Sequence, residues 1–203
     1  MSEVLRTPKF RVSFPSVFEK SGPPGVDPKK LKYSVVMLFT PAEIEKDPKK
    51  YANPETQKEL WDSMLASAKQ CALDKWANKI PQGLMSPFRN GTEKEQYDGY
   101  GEGVIFMNSK TEQRPGVVDA NVVRIIDPED LYAGCYAQAD VNPYAWSYMG
   151  KNGISFGLKN VQKIAEGEPI GGGVSAESSF DAIDSEVEVQ AEGGGSNATA
   201  LFG

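Results

Sequence analysis

Residues 32–39 read KYSVVMLF, and this segment decides the expected fold more than any other. Its β-branched and aromatic residues favour a strand, in which successive side chains point to opposite faces. Both faces of such a strand are mostly apolar, with Tyr33, Val35, Met37 and Phe39 on one and Ser34, Val36 and Leu38 on the other. A strand that is apolar on both faces is typical of a closed barrel or of a sheet covered on both sides.

Alternating apolar residues predict further strands on either side of this segment. They fall at residues 9–18, 99–110, 117–126 and 131–141, and in a hairpin over residues 143–158 whose turn is expected at KNG, residues 151–153. Three aromatic residues lie among aliphatic ones and are predicted to pack in the core, namely Phe14, Phe39 and Phe156.

One long helix is predicted from about residue 54 to 79, because Pro54 suits a first helical turn and Pro81 ends the apolar pattern. Apolar residues recur there at helical spacing and are predicted to face the core: Leu60, Trp61, Met64, Leu65, Ala68, Cys71, Ala72 and Trp76. About five strands with one inserted helix predict a mainly β (α+β) fold, and the five-stranded OB-fold barrel matches that count. An SH3-like barrel or a small sandwich matches it as well.

The chain of 203 residues contains no histidine, which excludes Ser-His-Asp and Cys-His nucleophiles and histidine-ligated zinc or iron. Its glycine-rich segments at residues 99–103 and 171–173 lack the GK[ST] ending of a phosphate-binding loop. A Mg²⁺-dependent nuclease would need clustered carboxylates, for which the candidates are Asp119, Asp127, Glu129, Asp130 and Asp140. The DPED segment at residues 127–130 is better explained as a turn, so we expect no catalysis, no metal and no cofactor.

The two cysteines, Cys71 and Cys135, have no metal-ligand spacing and indicate buried, reduced thiols. No run of about 18 apolar residues indicates a membrane span. The first residues also lack the apolar segment of a signal peptide, so the expected location is the cytoplasm.

The net charge of −6 is unevenly distributed along the chain. Residues 1–163 contain all 22 lysines and arginines with 20 acidic residues, which gives +2, whereas residues 164–203 contain the other 8 acidic residues and no base, which gives −8. We expect residues 1–170 to form the folded domain and residues 171–203 to form a flexible, acidic, glycine-rich tail that competes for a basic groove. Contacts of this tail with partner proteins are expected at Phe180, Asp181, Asp184, Glu186, Glu188 and Phe202.

Aromatic residues recur at every second position of the segment PYAWSY at residues 143–148, which places Tyr144, Trp146 and Tyr148 on one face of a strand. Together with Tyr136 they lie opposite a row of small residues that already supplies an inward face, so a half-exposed stacking surface is predicted. Bases near these strands are candidates for phosphate contacts: Arg11, Lys30, Lys32, Lys110, Arg114, Arg124, Lys151 and Lys159. A basic groove with aromatic platforms is typical of sequence-tolerant binding of single-stranded nucleic acid.

Several segments resemble, in the same order, a phage family of single-stranded DNA-binding proteins: residues 11–20 (RVSFPSVFEK), 32–39, 114–119 (RPGVVD), 130–146 (DLYAGCYAQADVNPYAW) and 152–170 (NGISFGLKNVQKIAEGEPI). The resemblance implies a non-catalytic OB-fold protein that protects single-stranded DNA during phage replication or recombination in the host cytoplasm. It also implies phage or host replication proteins as partners of the acidic tail. Unlike other phage proteins with such tails, this chain has its last acidic residue at Glu192 and ends in GGGSNATALFG.

A second function remains open from the residues alone, because aromatic residues are also enriched at protein–protein interfaces. The protein would then be a virion-associated or adaptor β-module whose aromatic face binds another protein. In both cases we expect a monomer or a weak dimer that does not engage a membrane.

Overall fold

The computed structural model describes residues 4–40, 54–77 and 79–171. In these ranges the chain forms eight strands and one long helix, joined by loops that include short 3₁₀ helices at Pro28–Lys30, Gly91–Lys94 and Pro128–Asp130. The elements are β1 (Leu5–Arg6), β2 (Phe10–Ser21), β3 (Lys32–Phe39), α1 (Pro54–Trp76), β4 (Arg89–Asn90), β5 (Ile105–Thr111), β6 (Gly116–Val118), β7 (Tyr136–Tyr148) and β8 (Lys151–Ala165). The predicted tail contacts at Phe180, Asp181, Asp184, Glu186, Glu188 and Phe202 lie outside the described residues.

Each of the five longer strands pairs with two of the others, so the pairings form a cycle. β2 pairs with β3 and β3 with β5, both antiparallel, and β5 pairs in parallel with β8 where Lys110 lies beside Gly157. β8 then pairs with β7 along an antiparallel hairpin, and β7 pairs with β2 where Ala137 lies beside Phe10. The three short strands β1, β4 and β6 pair with β7, β5 and β8 respectively. The described residues are therefore mostly β with one long helix, as predicted.

The segment at residues 32–39 forms β3 with the predicted bounds, and its two faces are both covered. On one face Val35, Met37 and Phe39 belong to the main hydrophobic core. On the other face Val36 and Leu38 form a smaller cluster. The cover of this second cluster comes from Phe106, Tyr100, Val104 and Ile170. Apolar residues on both faces of one strand thus predicted a sheet with two covered sides, as observed.

Helix α1 presents a narrower apolar stripe to the core than its sequence predicted. Met64, Ala68 and Ala72 are buried, and the Trp61 ring packs edge-on against Phe39 at a centroid distance of 5.2 Å. Leu65 is 43% exposed, so its prediction as a core residue is wrong. Because successive residues are rotated by about 100° around the helix, Leu65 falls outside the stripe that Met64 and Ala68 define.

The hairpin between β7 and β8 turns earlier than predicted. β7 continues through Pro143 to Tyr148, and the turn residues are Met149 and Gly150, with φ of +48° and +76°. Positive φ at both central residues is the geometry of the two-residue hairpin turns whose twist matches that of the strands. The KNG segment at residues 151–153 therefore lies in β8, and its prediction as the turn is wrong.

Two other predicted strands are shorter than expected because loops replace part of each. Residues 99–103 carry glycines at positive φ and form turns, so β5 begins only at Ile105. β6 ends at Val118, where the side chain of Asp119 accepts hydrogen bonds from the backbone of Asn121 and Val123, both at 2.8 Å. These local hydrogen bonds stabilise a turn in place of a strand.

A bulge in β2 exposes a residue that was predicted to be buried. Ser13 pairs with Val36 and Ser16 with Ser34, so three steps along β2 match two along β3. The additional residue gives Phe14 a φ of +43° and leaves it 51% exposed. The prediction that Phe14 packs in the core is therefore wrong, because alternation is interrupted wherever a strand contains a bulge. Phe39 and Phe156 are buried as predicted.

Both cysteines are free thiols, as predicted, although only Cys135 is fully buried. Burial raises the pKa of the Cys135 thiol to about 11, which keeps it protonated and unreactive at neutral pH. Cys71 on α1 is half-buried against the core.

The different burial of two adjacent helix residues predicts different effects of the same truncation. Met64→Ala should lower the free energy of unfolding by about 2–5 kcal/mol because it leaves a cavity beneath α1. Leu65→Ala should change it by no more than about 0.5 kcal/mol because the side chain is partly solvated. Urea unfolding of the two variants measures this difference, and equal losses would contradict the observed orientation of α1.

Candidate nucleic-acid interface

Three aromatic side chains lie on one face of the extended β7–β8 hairpin, residues 142–157, which we call the aromatic arm. Tyr144, Trp146 and Tyr148 occupy alternate positions of β7 and therefore project to the same side. Tyr144 is 43% exposed and Tyr148 is 72% exposed, whereas Trp146 is half-buried. Two of the three rings thus offer exposed area to a ligand.

The Trp146 ring is held against β8 because that strand carries small residues beside it. Trp146 pairs with Gly153, where a β-carbon would overlap the six-membered ring of the indole. The indole Nε1 donates a hydrogen bond to the hydroxyl of Ser155 at 3.0 Å. These two contacts fix the orientation of the indole, so this ring of the row is oriented before any ligand binds.

The opposite face of the aromatic arm packs against the body of the protein. Ala145 points away from the aromatic row and contacts the main hydrophobic core. Its backbone lies close enough to Cys71 of α1 to hydrogen-bond the thiol. Helix α1 therefore supports the arm from behind, and this support keeps the rings directed outward.

A shallow polar surface with one central lysine adjoins the aromatic arm. Lys110 of β5 pairs with Gly157 of β8 on one side and with Ser34 of β3 on the other, and Gly157 pairs with Asn142 of β7. Residues paired across neighbouring strands point to the same face, so this row shares its face with Tyr144. Lys110 is exposed, and no carboxylate among the described residues forms an ion pair with it. The row provides a positive charge on a surface with little steric bulk.

A second aromatic group lies on the outer face of β2, β3 and β5. Its four rings are in successive contact, with centroid distances of 5.4 Å from Phe14 to Tyr97, 6.1 Å from Tyr97 to Tyr100 and 5.4 Å from Tyr100 to Phe106. Residue patterns in the sequence did not predict this group. The spacing of three between Lys94, Tyr97 and Tyr100 would have been a signal, because it places them on one side of a tight helical turn.

Basic side chains border the second aromatic group. The Lys94 ammonium lies 5.9 Å from the ring centres of Tyr97 and Tyr100 and 5.2 Å from that of Phe106. The Arg89 guanidinium lies 4.9 Å from the Phe106 ring and forms an ion pair with Glu93. Burial lowers the pKa of Lys94 below its usual value, and the charges of Arg89 and Lys110 lower it further. The Glu93 carboxylate, which is paired with Arg89, acts in the opposite direction and raises the pKa of Lys94.

The predicted stacking residue Tyr136 does not belong to the aromatic arm. It lies at the beginning of β7, pairs with Arg11 and is only 8% exposed. A buried ring offers no face to a base, so the prediction for Tyr136 is wrong. Small residues line the inward face of this strand, as the prediction assumed. On the outward face, however, Gly167 packs against the Tyr136 ring.

The predicted phosphate contacts are distributed over several surfaces. Lys151 faces Tyr148 across the hairpin, and Lys30 lies in the β2–β3 loop. Lys32 forms an ion pair with Glu112 at 3.3 Å, and Lys159 is the additional residue at a bulge of β8. Arg11 donates hydrogen bonds to the carbonyl groups of Gly134 and Glu168, which gives its guanidinium a structural role.

Arg114 and Arg124 lie far from the aromatic arm. Both flank β6, which pairs with β8 at residues 160–162. At about 3.3 Å per residue, this region is roughly 25 Å along β8 from Gly153. The structure therefore brings together Tyr144, Trp146, Tyr148, Lys110 and Lys151, and separates Tyr136, Arg11, Arg114 and Arg124 from them.

Three of the five carboxylates considered for a nuclease have structural partners. Asp119 and Asp127 accept hydrogen bonds from backbone amides of the turns that follow them. Asp140 forms an ion pair with Arg6 at 2.7 Å. In the part of the chain that the structure describes, no three acidic or cysteine side chains lie together as metal ligands. No helix in the described part of the chain is both long enough and apolar enough to span a membrane.

Two proteins of known structure share most of this architecture. The single-stranded DNA-binding protein from bacteriophage Enc34, solved in complex with ssDNA, matches with a TM-score of 0.62 at 18% identity over 82% of this chain and 88% of its own. The bacteriophage T7 single-stranded DNA-binding protein gp2.5 matches with a TM-score of 0.53 at 13% identity over 92% and 97% of the two chains. At these identities the structural matches show the fold alone.

The amino-acid sequence is also similar to that of another phage protein. Putative protein p50 of Acyrthosiphon pisum secondary endosymbiont phage 1 is 28% identical over 188 residues, which are 87% of this chain and 92% of the relative. A family model, that of the ssDNA-binding protein of Enterobacter phage Enc34, matches residues 3–190. The family predicted from the sequence is thus confirmed, and the chain belongs to the Enc34 single-stranded DNA-binding protein family.

Proposed function

We infer that this protein binds single-stranded DNA with little sequence preference, without catalysis, during phage DNA replication and recombination in the host cytoplasm. The observation that carries the inference is the row of Tyr144, Trp146 and Tyr148, which shares one face of the sheet with the exposed Lys110 and whose central indole is held in place. Membership of the family supports it independently. Every base has an aromatic face, so stacking on such a row does not depend on sequence.

We also propose that the cycle of strands is an OB-fold barrel whose five strands are β2, β3, β5, β7 and β8. The order of pairing supports this assignment, because the third and fifth strands pair in parallel and the fourth pairs with both the fifth and the first. OB-folds bind oligonucleotides on the face of their second and third strands and on the loops that join strands 1–2 and 4–5. Here those elements are β3, β5, the loop with Lys30 and the tip of the aromatic arm.

In this arrangement the side chains have different tasks. The aromatic arm supplies ring faces for the bases, while Lys110, Lys151 and Lys30 neutralise phosphates along the path. Binding of these bases to phosphates releases counterions from the DNA, so the affinity is expected to fall as salt increases. The Trp146 side chain loses little conformational entropy when DNA binds, because Gly153 and Ser155 already hold its ring in place.

The charge of residues 171–203 supports a regulatory role of the acidic tail. This segment contains six acidic residues and no base. A tethered polyanion occupies a basic surface at high effective concentration and must be displaced by DNA. We propose that the tail lowers the affinity for DNA in this way and that, once displaced, it becomes accessible to replication proteins through Phe180, Asp181, Asp184, Glu186, Glu188 and Phe202.

The alternative function, a virion-associated or adaptor module, has no support among the related proteins. The family and both structural relatives are described as single-stranded DNA-binding proteins. An aromatic row beside an exposed lysine also fits a polyanion better than an apolar protein surface. We therefore propose only the DNA-binding function.

Removal of one exposed ring tests the stacking surface. Tyr148→Ala should weaken binding of a fluorescent dT oligonucleotide about 5- to 150-fold, which corresponds to roughly 1–3 kcal/mol for one stack. Tyr148→Phe is the matched control, because it keeps the ring and should bind like the natural protein. Fluorescence polarisation at low salt measures both. If the natural protein shows no binding at micromolar concentration, the proposed function is wrong; if both variants bind alike, the role of Tyr148 is wrong.

The central lysine should contribute one phosphate contact. Lys110→Gln should reduce the slope of log K against log salt concentration by about 0.7, the value for one contact to a single strand. Lys69→Gln removes an exposed lysine of α1 as a control and should leave the slope unchanged. Titrations at four or more salt concentrations measure the slopes, and an identical slope for both variants would remove Lys110 from the interface.

Deletion of residues 171–203 should tighten binding of single-stranded DNA at low salt, because the competing polyanion is lost. A full-length variant in which Asp181, Asp184, Glu186 and Glu188 are replaced by their amides should behave like the deletion, since the competition is electrostatic. The difference from the natural protein should disappear at high salt. Unchanged or weaker affinity of the truncated protein would contradict competition by the tail.

A further inference from the structure

The backbone of Phe14 is held in a conformation that a bulky residue rarely adopts. Its φ is +43°, in the left-handed region where the side chain of a non-glycine residue crowds the backbone. The bulge of β2 imposes this conformation, and it turns the ring out of a strand whose neighbouring Val12 and Val17 are fully buried. The backbone of Phe14 is thus strained, and its apolar ring is 51% exposed. Strain of this kind concentrates at binding sites.

Phe14 and Tyr97 form a corner of two rings. The rings are 5.4 Å apart and perpendicular, with an interplanar angle of 90°, and Tyr97 is 44% exposed. A perpendicular pair leaves ring faces uncovered, and a third flat ring can stack on one partner while its edge meets the other. A nucleobase has the shape and the aromatic face that this corner accommodates.

The loop that carries Tyr97 is held by hydrogen bonds within itself and by one to β2. The Tyr97 amide donates a hydrogen bond to the carbonyl of Lys94 at 3.0 Å, and the amide of Gly91 donates one to Val104 at 2.7 Å. The hydroxyl groups of Tyr100 and Ser13 are hydrogen-bonded at 3.1 Å, which joins this loop directly to the residue before Phe14. The corner therefore exists before a ligand arrives and does not have to be ordered by it.

Positive charge lies beside the corner. The Lys94 ammonium is 5.9 Å from the centre of the Tyr97 ring and 5.2 Å from that of Phe106, and the exposed Lys110 lies on the same face of the sheet. A base stacked at Phe14 would have its phosphates within reach of these lysines. The combination of ring faces and bases is the one that recognises single-stranded nucleic acid and not an apolar peptide.

The corner is continuous with the surface beside the aromatic arm. Phe14 lies between Ser13 and Ser16, and the row through Ser16 continues over Ser34 and Lys110 to Gly157 of the arm. Three strand spacings separate the two ends of this row, which is roughly 14 Å. From these contacts we propose that Phe14 and Tyr97 form a second base-stacking subsite for single-stranded DNA, so that one strand runs from the aromatic arm over Lys110 to this corner. The proposal rests on the proposed function and extends its site.

Substitution of Phe14 by glycine separates a binding role from a structural one. Glycine adopts a φ of +43° without strain, so Phe14→Gly should not lower the midpoint of urea unfolding. Its affinity for a dT15 oligonucleotide should nevertheless fall about five-fold or more, the loss expected for one stack. Tyr97→Ala should weaken binding to a similar extent, and Tyr97→Phe, which keeps the ring, should not.

Crosslinking of the natural protein provides a readout that does not depend on the stability of a variant. Irradiation of its complex with an oligonucleotide that contains 5-iodouracil, followed by mass spectrometry, should identify Phe14 or Tyr97 in addition to residues of the aromatic arm. Crosslinks confined to the arm, or Phe14→Gly binding within two-fold of the natural protein, would overturn the second subsite and leave the proposed function intact. Absence of any binding by the natural protein would instead refute the proposed function itself.

Discussion

The burial of both faces of β3 is the constraint on which the rest of the structure depends. Val35, Met37 and Phe39 close the main core, so the strand must be curved into a sheet that surrounds it. Val36 and Leu38 on the outer face must also be removed from water, which the segment around Tyr100 and Val104 and the residue Ile170 achieve. This cover reaches only one end of β3. The other end, at Ser34 and Lys110, stays open and becomes the polar part of the candidate interface.

The division of the outer face also explains why aromatic residues flank the open part. The covering loop packs on Val36, Leu38 and Phe106 through Tyr100. The Tyr100 ring meets that of Phe106 edge-on, and its hydroxyl is hydrogen-bonded to that of Ser13. On the opposite side, small residues of β8 in the aromatic arm leave room for Trp146 to lie across that strand. Packing against the sheet therefore places aromatic rings at both margins of the open surface. Between them lies a flat, positively charged area.

Regular alternation and helical spacing made much of this architecture predictable. β3 and the beginning of α1 have the predicted bounds, and the mainly β class with one helix is confirmed. The exposed part of the aromatic row was readable because Tyr144, Trp146 and Tyr148 occupy every second position of a strand. Predictions were wrong where a single local event changed the alternation: the bulge that exposes Phe14 and the two-residue turn at Met149 and Gly150.

The remaining errors concern contacts between segments that are distant in the chain. Tyr136 has the same spacing as the arm residues, but Gly167 packs against its ring after the chain has returned along β8. Arg11 has the appearance of a surface base, yet carbonyl groups of residues 134 and 168 surround its guanidinium. Whether such a residue faces solvent depends on which distant segment packs over it. The periodicity of one segment cannot predict that packing.

The amino-acid sequence by itself determined the class of fold, the position of the helix, the charge asymmetry and the family, because each depends on composition, local periodicity or the order of recognisable segments. Tertiary structure alone decided which bases share a face with the aromatic row. Lys110 joins it through a parallel pairing between β5 and β8, whereas Arg114 and Arg124 are carried to the distant end of β8. It also decided that Phe14 meets Tyr97, 83 residues further along the chain. Such contacts arise only when the sheet closes, since the register between strands is set by the packing of the whole core and not by any one segment.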